Sequence, residues 1–453
     1  MSELLFHYHK VNPTTWVYLS SLLTIGLFFK FSRLWSIRNL DLVFLILLAP
    51  GLLLVEHGLS NHLRGIEQAG YIWIFVMNGV LLVRLLLDPM MIRRPLLEPN
   101  LSVGGMTFLG LSLLVFLMAN VANGRLTRDD LAGARGADKV RTMQTPAPDD
   151  KSLARHGPGY PLLHLLPILY TQALYIQDPS RQTVHERNVR RDEMYKSTAR
   201  TMAIISHLAI VIGMVMIGYR HFDNIKTGIA AATLYLMLPY TAQLTGRVDH
   251  VLPAAFLVWA VEAYRRPLVA GMMMGLAIGV IYYPVFLLPL WLGFYWQRGL
   301  LRFSLGVVLT VALLVGSLAF TSDSFDMFLV QTKQMFGWTS LNVNDFEGFW
   351  ALGFVDQVYR IPVLAAFLAL CLSLALWPAQ KNLGTLMSCS AAVMLGTQFC
   401  HAHFGGLYMA WYLPLLLLTI FRPNLEDRVA LSVLGEGWLP RRRAAADAVE
   451  RAA

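Results

Sequence analysis

Long apolar stretches, each closed by a short polar interval, repeat along the chain. They fall at 14–30, 40–57, 70–88, 104–122, 201–219, 228–243, 250–264, 268–281, 284–297, 303–320, 360–377, 384–399 and 406–421. Their lengths approach the ~20 residues that a helix needs to cross ~30 Å of hydrocarbon. In lipid the backbone must satisfy its own hydrogen bonds, which leaves helices or closed barrels. The expected fold class is all-α, a polytopic transmembrane helical bundle of about thirteen spans. Several stretches are shorter than ~20 residues, which predicts broken or tilted helices.

Charge orients the spans. Lys30, Arg33 and Arg38, then Arg93 and Arg94, Arg220 and Lys226, Arg265 and Arg266, Arg298 and Arg302, Lys381, and the tail from Arg422 occupy alternate loops. The intervening short loops hold Arg64 and Arg247. The positive-inside rule then puts the N-terminus outside and the C-terminus in the cytosol. The segment 160–176 is apolar enough to pass for a further span, but a crossing there would invert every later basic loop. It is therefore expected to lie along or dip into the outer interface, helped by Pro161 and Pro167. The polar run 178–200 after it reads as an interfacial helix. Three regions follow: a three-span N-terminal membrane module (1–102), a main membrane region (103–421) with outer loops at 123–200 and 321–359, and a cytosolic tail (422–453).

Composition agrees. The 453 residues are 56% hydrophobic and 14% charged, against roughly a quarter charged in soluble domains. The net charge of +9 belongs to span flanks rather than to a nucleic-acid surface, because no basic cluster is interleaved with stacking aromatics. The three cysteines, Cys371, Cys389 and Cys400, lie in or beside apolar segments and suggest neither a disulfide framework nor a thiolate metal site.

Polar chemistry collects on the expected outer face. The interval 123–160 carries Asp129, Asp130, Asp149 and Asp150 and the turn His156-Gly157-Pro158-Gly159-Tyr160. Thr245-Gly246-Arg247-Val248-Asp249-His250, Tyr282-Tyr283-Pro284 and His401-Ala402-His403 lie at other outer ends, and the 321–360 loop adds Asp323, Asp326, Lys333, Asp345 and Glu347. Arg247 beside Asp249 reads either as a local ion pair or as a phosphate contact oriented by a carboxylate. Thr127-Arg128-Asp129-Asp130 reads either as a helix cap or as a site acid. Two histidines two apart bind one metal only from extended chain, so solvated His401 and His403 are expected and no metal ligands are assigned. Glu262 reads as a partner of Arg265 and Arg266.

The stretch 243–296 resembles the middle of the GT-C glycosyltransferases, particularly glycosyltransferase family 87. The resemblance is carried by Arg266-Pro267-Leu268-Val269-Ala270-Gly271, Gly275-Leu276-Ala277, Tyr283-Pro284 and Leu288-Pro289. Gly157–Leu163 and the segment from His401 through Tyr408–Pro414 resemble other outer elements of the family. The chain departs from the pattern at Ile281-Tyr282, where a Lys is common, and in the three spans that precede the resembling region. Gly271 and Gly275 have a second reading as a close-packing seam.

The resemblance implies a GT-C-like hexosyltransferase of the bacterial inner membrane. It would move a mannose-like sugar, with inversion, from a polyprenyl-phosphate donor to a hydroxyl of a glycan, lipid or protein acceptor. It further implies a catalytic carboxylate from the first large outer loop, Asp130 or Asp129. Arg247, Asp249, His250, His156, Tyr160, Tyr283, His401 and His403 are the expected substrate contacts. No resident cofactor is assigned, and a divalent cation is left open. A lipid-sugar flippase or transporter, with broken helices of the same kind, and a non-catalytic assembly subunit are the alternatives.

Overall fold

The structure, a computed structural model, describes residues 12–91, 97–124, 126–143, 156–175, 183–319, 322, 324–335, 346–353 and 355–434. The chain is all-helical, with no strand among the described residues and a lone antiparallel bridge between Asn382 and Val429. The helices are α1 (Pro13–Phe28), α2 (Ile37–Asn61), α3 (Arg64–Leu87), α4 (Val103–Asn123), α5 (Ala132–Arg141), α6 (Gly159–Tyr175), α7 (Val184–Arg220), α8 (Ile225–Met237) and α9 (Pro239–Gln243). They continue with α10 (Val248–Glu262), α11 (Pro267–Val280), α12 (Leu288–Tyr295), α13 (Leu300–Leu318), α14 (Phe325–Met335), α15 (Arg360–Leu376), α16 (Leu383–Cys400), α17 (Leu413–Phe421) and α18 (Ala430–Val433).

Each apolar stretch read from the sequence contains a helix, and 406–421 becomes α-helical only at Leu413, after a loop and a 3-10 turn (Met409–Trp411). Among the described residues seven helices are long and apolar enough to cross a membrane: Ile37–Asn61, Arg64–Met90, Val103–Asn123, His185–Arg220, Leu300–Leu318, Gln357–Leu376 and Leu383–Cys400. The protein is membrane-embedded. The expected breaks fall at prolines, which supply no N–H to the preceding turn. Pro239 separates α8 from α9, and Pro284 lies in a 3-10 turn (Tyr283–Leu287) that leads into α12. Large exposed apolar side chains, such as Leu301, Leu305, Val308 and Leu313 along α13, form the surface a bilayer would cover.

One core runs through the whole bundle, and α1–α3 share it. Helices α16 and α17 fill its centre, with nearly every side chain buried. Helices α11 and α13 touch backbone to backbone. A Cβ on Gly271 would stand 2.2 Å from the Phe303 carbonyl, and one on Gly275 2.7 Å from Thr310 Cβ. The glycine spacing that carries part of the family resemblance is thus also a packing seam.

Two readings need correction. The run 178–200 is not a separate interfacial helix: from Val184 it is continuous with the following span as α7, 37 residues in all. At 1.5 Å per residue α7 is about 55 Å long, well beyond the hydrocarbon thickness. Its polar half stands past the apolar bundle, where α5 and α6 pack on it. Asp138, wholly buried, joins these pieces by accepting from Arg191, from Arg141 (2.8 Å) and from Tyr195 (2.6 Å). Burial pushes the Asp138 carboxyl up, and these hydrogen bonds overcome it, so its pKa falls below the ordinary value. The second correction concerns Glu262. It pairs with Arg220 rather than with Arg265 or Arg266, because α7 and α10 pack together and bury both side chains in their interface.

The bundle has two chemically different ends. At one end Arg84 binds Asp41 through Nε and Nη2 (2.7 and 2.9 Å) and Asp88 through Nη1 (2.9 Å), while Arg422 binds Asp88 at 2.6 Å. Arg220 and Lys381 lie at this basic end as well, while Arg93 and Arg94 lie outside the described residues. At the other end are the C-terminus of α4, the α9–α10 turn, Tyr283 and the C-terminus of α16.

Candidate functional site

At that second end four separate pieces of chain converge. Residues 127–131 follow α4. The turn 156–160 docks on the end of α11, where Gly157 N–H donates to the Val280 carbonyl (2.9 Å). A Cβ at Gly157 would stand 2.2 Å from the Gly279 carbonyl, so glycine is what lets this turn sit there. Arg247 ends the turn before α10, with Asp249 in its first helical turn. The loop 401–411 follows α16 and is fixed by Gln398, whose Oε1 accepts from the N–H groups of Gly406 (3.2 Å) and Tyr408 (3.1 Å).

The charged centre is Arg247. Its Nε and Nη2 grip Asp249 Oδ1 and Oδ2 at 3.1 and 2.9 Å, so the local ion pair exists. A guanidinium has five N–H donors, and three remain beyond these two bonds. Asp130 Oδ1 lies 3.7 Å from Arg247 Nε, and Asp129 Oδ2 lies 4.0 Å from Nη1. Trp411 Nε1 donates to the Asp249 carbonyl (3.2 Å), tying α10 to the 401–411 loop. His156 Nε2 and His250 Nε2 each stand 3.8 Å from Asp249 Oδ2.

The two adjacent acids differ. The Asp129 side chain is 59% exposed and that of Asp130 only 7%. Asp130 Oδ2 accepts from Thr127 N–H (2.7 Å) and Thr127 Oγ1 (2.8 Å), and Asp130 N–H returns to Thr127 Oγ1 (3.4 Å). These are the reciprocal bonds of a capping box, but they close the turn 127–131 rather than cap α5, whose own cap, Leu131, makes no side-chain bond. They use only one Asp130 oxygen: Oδ1 is buried and makes no hydrogen bond. Burial raises the Asp130 carboxyl above the ordinary value, and the Thr127 bonds and Arg247 only partly offset it. The Tyr160 hydroxyl is also buried without a hydrogen-bond partner, its ring stacked on His156 at 4.4 Å.

A belt of rings leads away from this centre. Tyr240 Oη lies 2.6 Å from His250 Nδ1, and His250 sits 4.5 Å from the Tyr408 ring. Tyr408 packs on Trp411 (4.5 Å) and on His401 (4.6 Å), which also stacks on Tyr283 (4.7 Å). His401 Nδ1 accepts from His403 N–H at 3.1 Å. His401 is not solvated as expected but buried, because Tyr283, Tyr408 and Trp411 pack around its ring, and this burial pushes its pKa down to about 3. Its ring is therefore neutral and carries its proton on Nε2, a hydrogen-bond donor without charge.

Asp129, Asp130, Arg247, Asp249, His250, His156 and Tyr160 thus fall in one cluster, and Tyr283, His401 and His403 along the belt. Asp149, Asp150, Asp323 and Asp345 lie outside the described residues. Asp326 and Lys333 lie on α14, away from this cluster in the contacts described. The sequence reading missed Tyr240, Gln398, Tyr408 and Trp411 as parts of the site. A usable signal existed for two of them, because Tyr408 and Trp411 lie in the aromatic segment after His401. Among the described residues no group of three or more His, Cys, Asp or Glu side chains is arranged to hold a metal ion.

Fold and site together define a class: a polytopic helical membrane protein with a polar, ring-lined site at one end of its bundle. No protein-family model matches the chain, and no curated protein does.

Proposed function

We propose that the protein is a membrane glycosyltransferase of the GT-C kind, moving a hexose from a polyprenyl phosphate to an acceptor hydroxyl with inversion. The observation that carries this reading is the buried, hydrogen-bond-free Oδ1 of Asp130 set 3.7 Å from Arg247. A base and a cation stand side by side at the end of an apolar bundle, where a lipid-borne phosphate would surface. In the step, the acceptor oxygen attacks the anomeric carbon and its proton passes to Asp130 Oδ1. The bond from that carbon to the phosphate oxygen breaks, and the charge gained by the leaving polyprenyl phosphate meets the remaining N–H donors of Arg247. The ring belt offers flat faces for the sugar's C–H surface, and neutral His401 offers a hydrogen bond.

In this reading the shorter helices complete about thirteen crossings. The site end faces the periplasm of a bacterial inner membrane, and the basic end faces the cytosol. The test is reconstitution of the purified protein in vesicles with radiolabelled polyprenyl-phosphate mannose and an alkyl mannoside. Label in the mannoside supports the reading. Label that only changes leaflet on its own lipid marks a flippase instead.

A further inference from the structure

Segment 346–352 crosses the site end beyond the ring belt and is held from both sides. On one side Glu347 N–H donates to the Ala402 carbonyl (3.0 Å), and Phe404 N–H to the Glu347 carbonyl (3.1 Å). This short ladder puts Glu347 Oε2 3.4 Å from His403 Nδ1. On the other side stands α3. Arg64 Nη2 and Gln68 Nε2 both donate to the Leu352 carbonyl, at 3.0 and 2.9 Å. Phe75 stacks on Phe349 with ring centroids 4.0 Å apart. Residues 64, 68, 71 and 75 share one face of a helix, so one face of α3 meets the whole segment. Gly348 sits between the two supports with φ +71°. A Cβ there would stand 2.8 Å from Phe404 Cα and 3.0 Å from Tyr71 Oη.

We propose that α3 serves the site by positioning Glu347, and that Glu347 with His403 recognises hydroxyl groups of the acceptor. The proposal rests on the glycosyltransferase reading. The phosphate-fitting cation, Arg247, stands at the opposite end of the belt, reached from His403 through His401 (ring centroids 6.3 Å), Tyr408 and His250. A carboxylate beside an imidazole suits polyol hydroxyls, which donate and accept, and disfavours a phosphate. Glu347 is then a specificity-determining residue, and Arg64, Gln68 and Phe75 are positioning residues.

The experiment uses the full chain in vesicles, with polyprenyl-phosphate mannose as donor and octyl mannoside as acceptor probe. Glu347→Gln raises the acceptor KM about 10-fold or more, the loss of one charge-assisted contact, and leaves donor KM and kcat within about 2-fold. Arg64→Ala with Gln68→Ala shifts the acceptor KM the same way and speeds hydrogen exchange at the Glu347 and Phe404 amides, and Arg64→Lys recovers part of both. A change in kcat or donor KM with the acceptor KM fixed overturns the recognition role. Unchanged exchange in the double variant overturns the positioning role. Absence of transfer by the wild-type protein removes the glycosyltransferase reading and the acceptor role with it, and leaves the positioning role to be decided by exchange alone.

Discussion

Asp130 and Arg247 face each other across 3.7 Å without a hydrogen bond, one oxygen of the acid being taken by Thr127 and the other left bare. Asp129, next in the chain, is largely in solvent. The asymmetry assigns different roles to neighbouring carboxylates. We expect Asp130→Asn to lower transfer by ~100-fold or more, since the amide keeps the shape and an oxygen to accept the Thr127 bonds but takes no proton. Asp129→Asn should stay within a few-fold of wild type and bind donor slightly better, because one carboxylate is withdrawn from Arg247. Equal loss in both variants, measured as initial transfer rates, would sink the assignment.

Arg247 is gripped by Asp249 yet retains free donors. Arg247→Ala is expected to reduce transfer at least ~10-fold, the equivalent of about 1.5–3 kcal/mol for a charge-assisted contact. Arg247→Lys should recover only part, because a point charge cannot hold Asp249 with two parallel bonds and reach a phosphate as well. Full turnover by the alanine variant would reduce Arg247 to a structural partner of Asp249.

Most of the site was legible in the sequence because each of its residues stands within a few positions of an apolar run. Once charge alternation orders the runs, Asp130, Arg247, Tyr283 and His401 must fall at one end. What remained illegible depends on contacts distant in sequence. Tyr240 and His250 meet across the turn between α9 and α10, and Glu262 takes Arg220 from another helix. The polar half of α7 reads as a separate element because apolar periodicity stops there, whereas its helix is sustained by Asp138 and the two helices packed on it. The support of segment 346–352 by α3 involves residues nearly 300 positions apart, which no local pattern encodes.

Sidedness can be tested without activity. The native cysteines, Cys371, Cys389 and Cys400, are all buried, so background labelling by an impermeant maleimide should be low. Lys139→Cys, on the exposed face of α5, should label in intact cells, and Arg266→Cys only after permeabilisation. The reverse pattern would turn the site toward the cytosol and remove the lipid-linked donor from the argument.

The basic end carries its own expectation. Asp88 is fully buried and shared by Arg84 and Arg422, which ties α3 to the end of α17. Removing one member strands buried charge at a cost of about 3–5 kcal/mol. Asp88→Asn should therefore lower the thermal midpoint in detergent by several degrees, while leaving the acceptor and donor KM of the surviving folded fraction unchanged. A wild-type midpoint in this variant would show that the network is solvated.

The pH dependence follows from the burial of Asp130. A base must be ionised to accept a proton, and burial raises this carboxyl above the ordinary aspartate value of 3.8. The acidic limb of the kcat/KM profile should consequently lie at higher pH than an exposed aspartate would give. Thr127 sets the second half of the test. Its hydroxyl donates to Oδ2 and so favours the charged form. Thr127→Val keeps the size and the backbone N–H bond but withdraws that donor, which moves the limb to still higher pH while the plateau rate is largely kept. A limb unmoved by Thr127→Val, in a variant that folds and binds donor normally, would mean that another group accepts the proton. Asp249 is the next acid to examine, because it shares Arg247 and lies against His156 and His250.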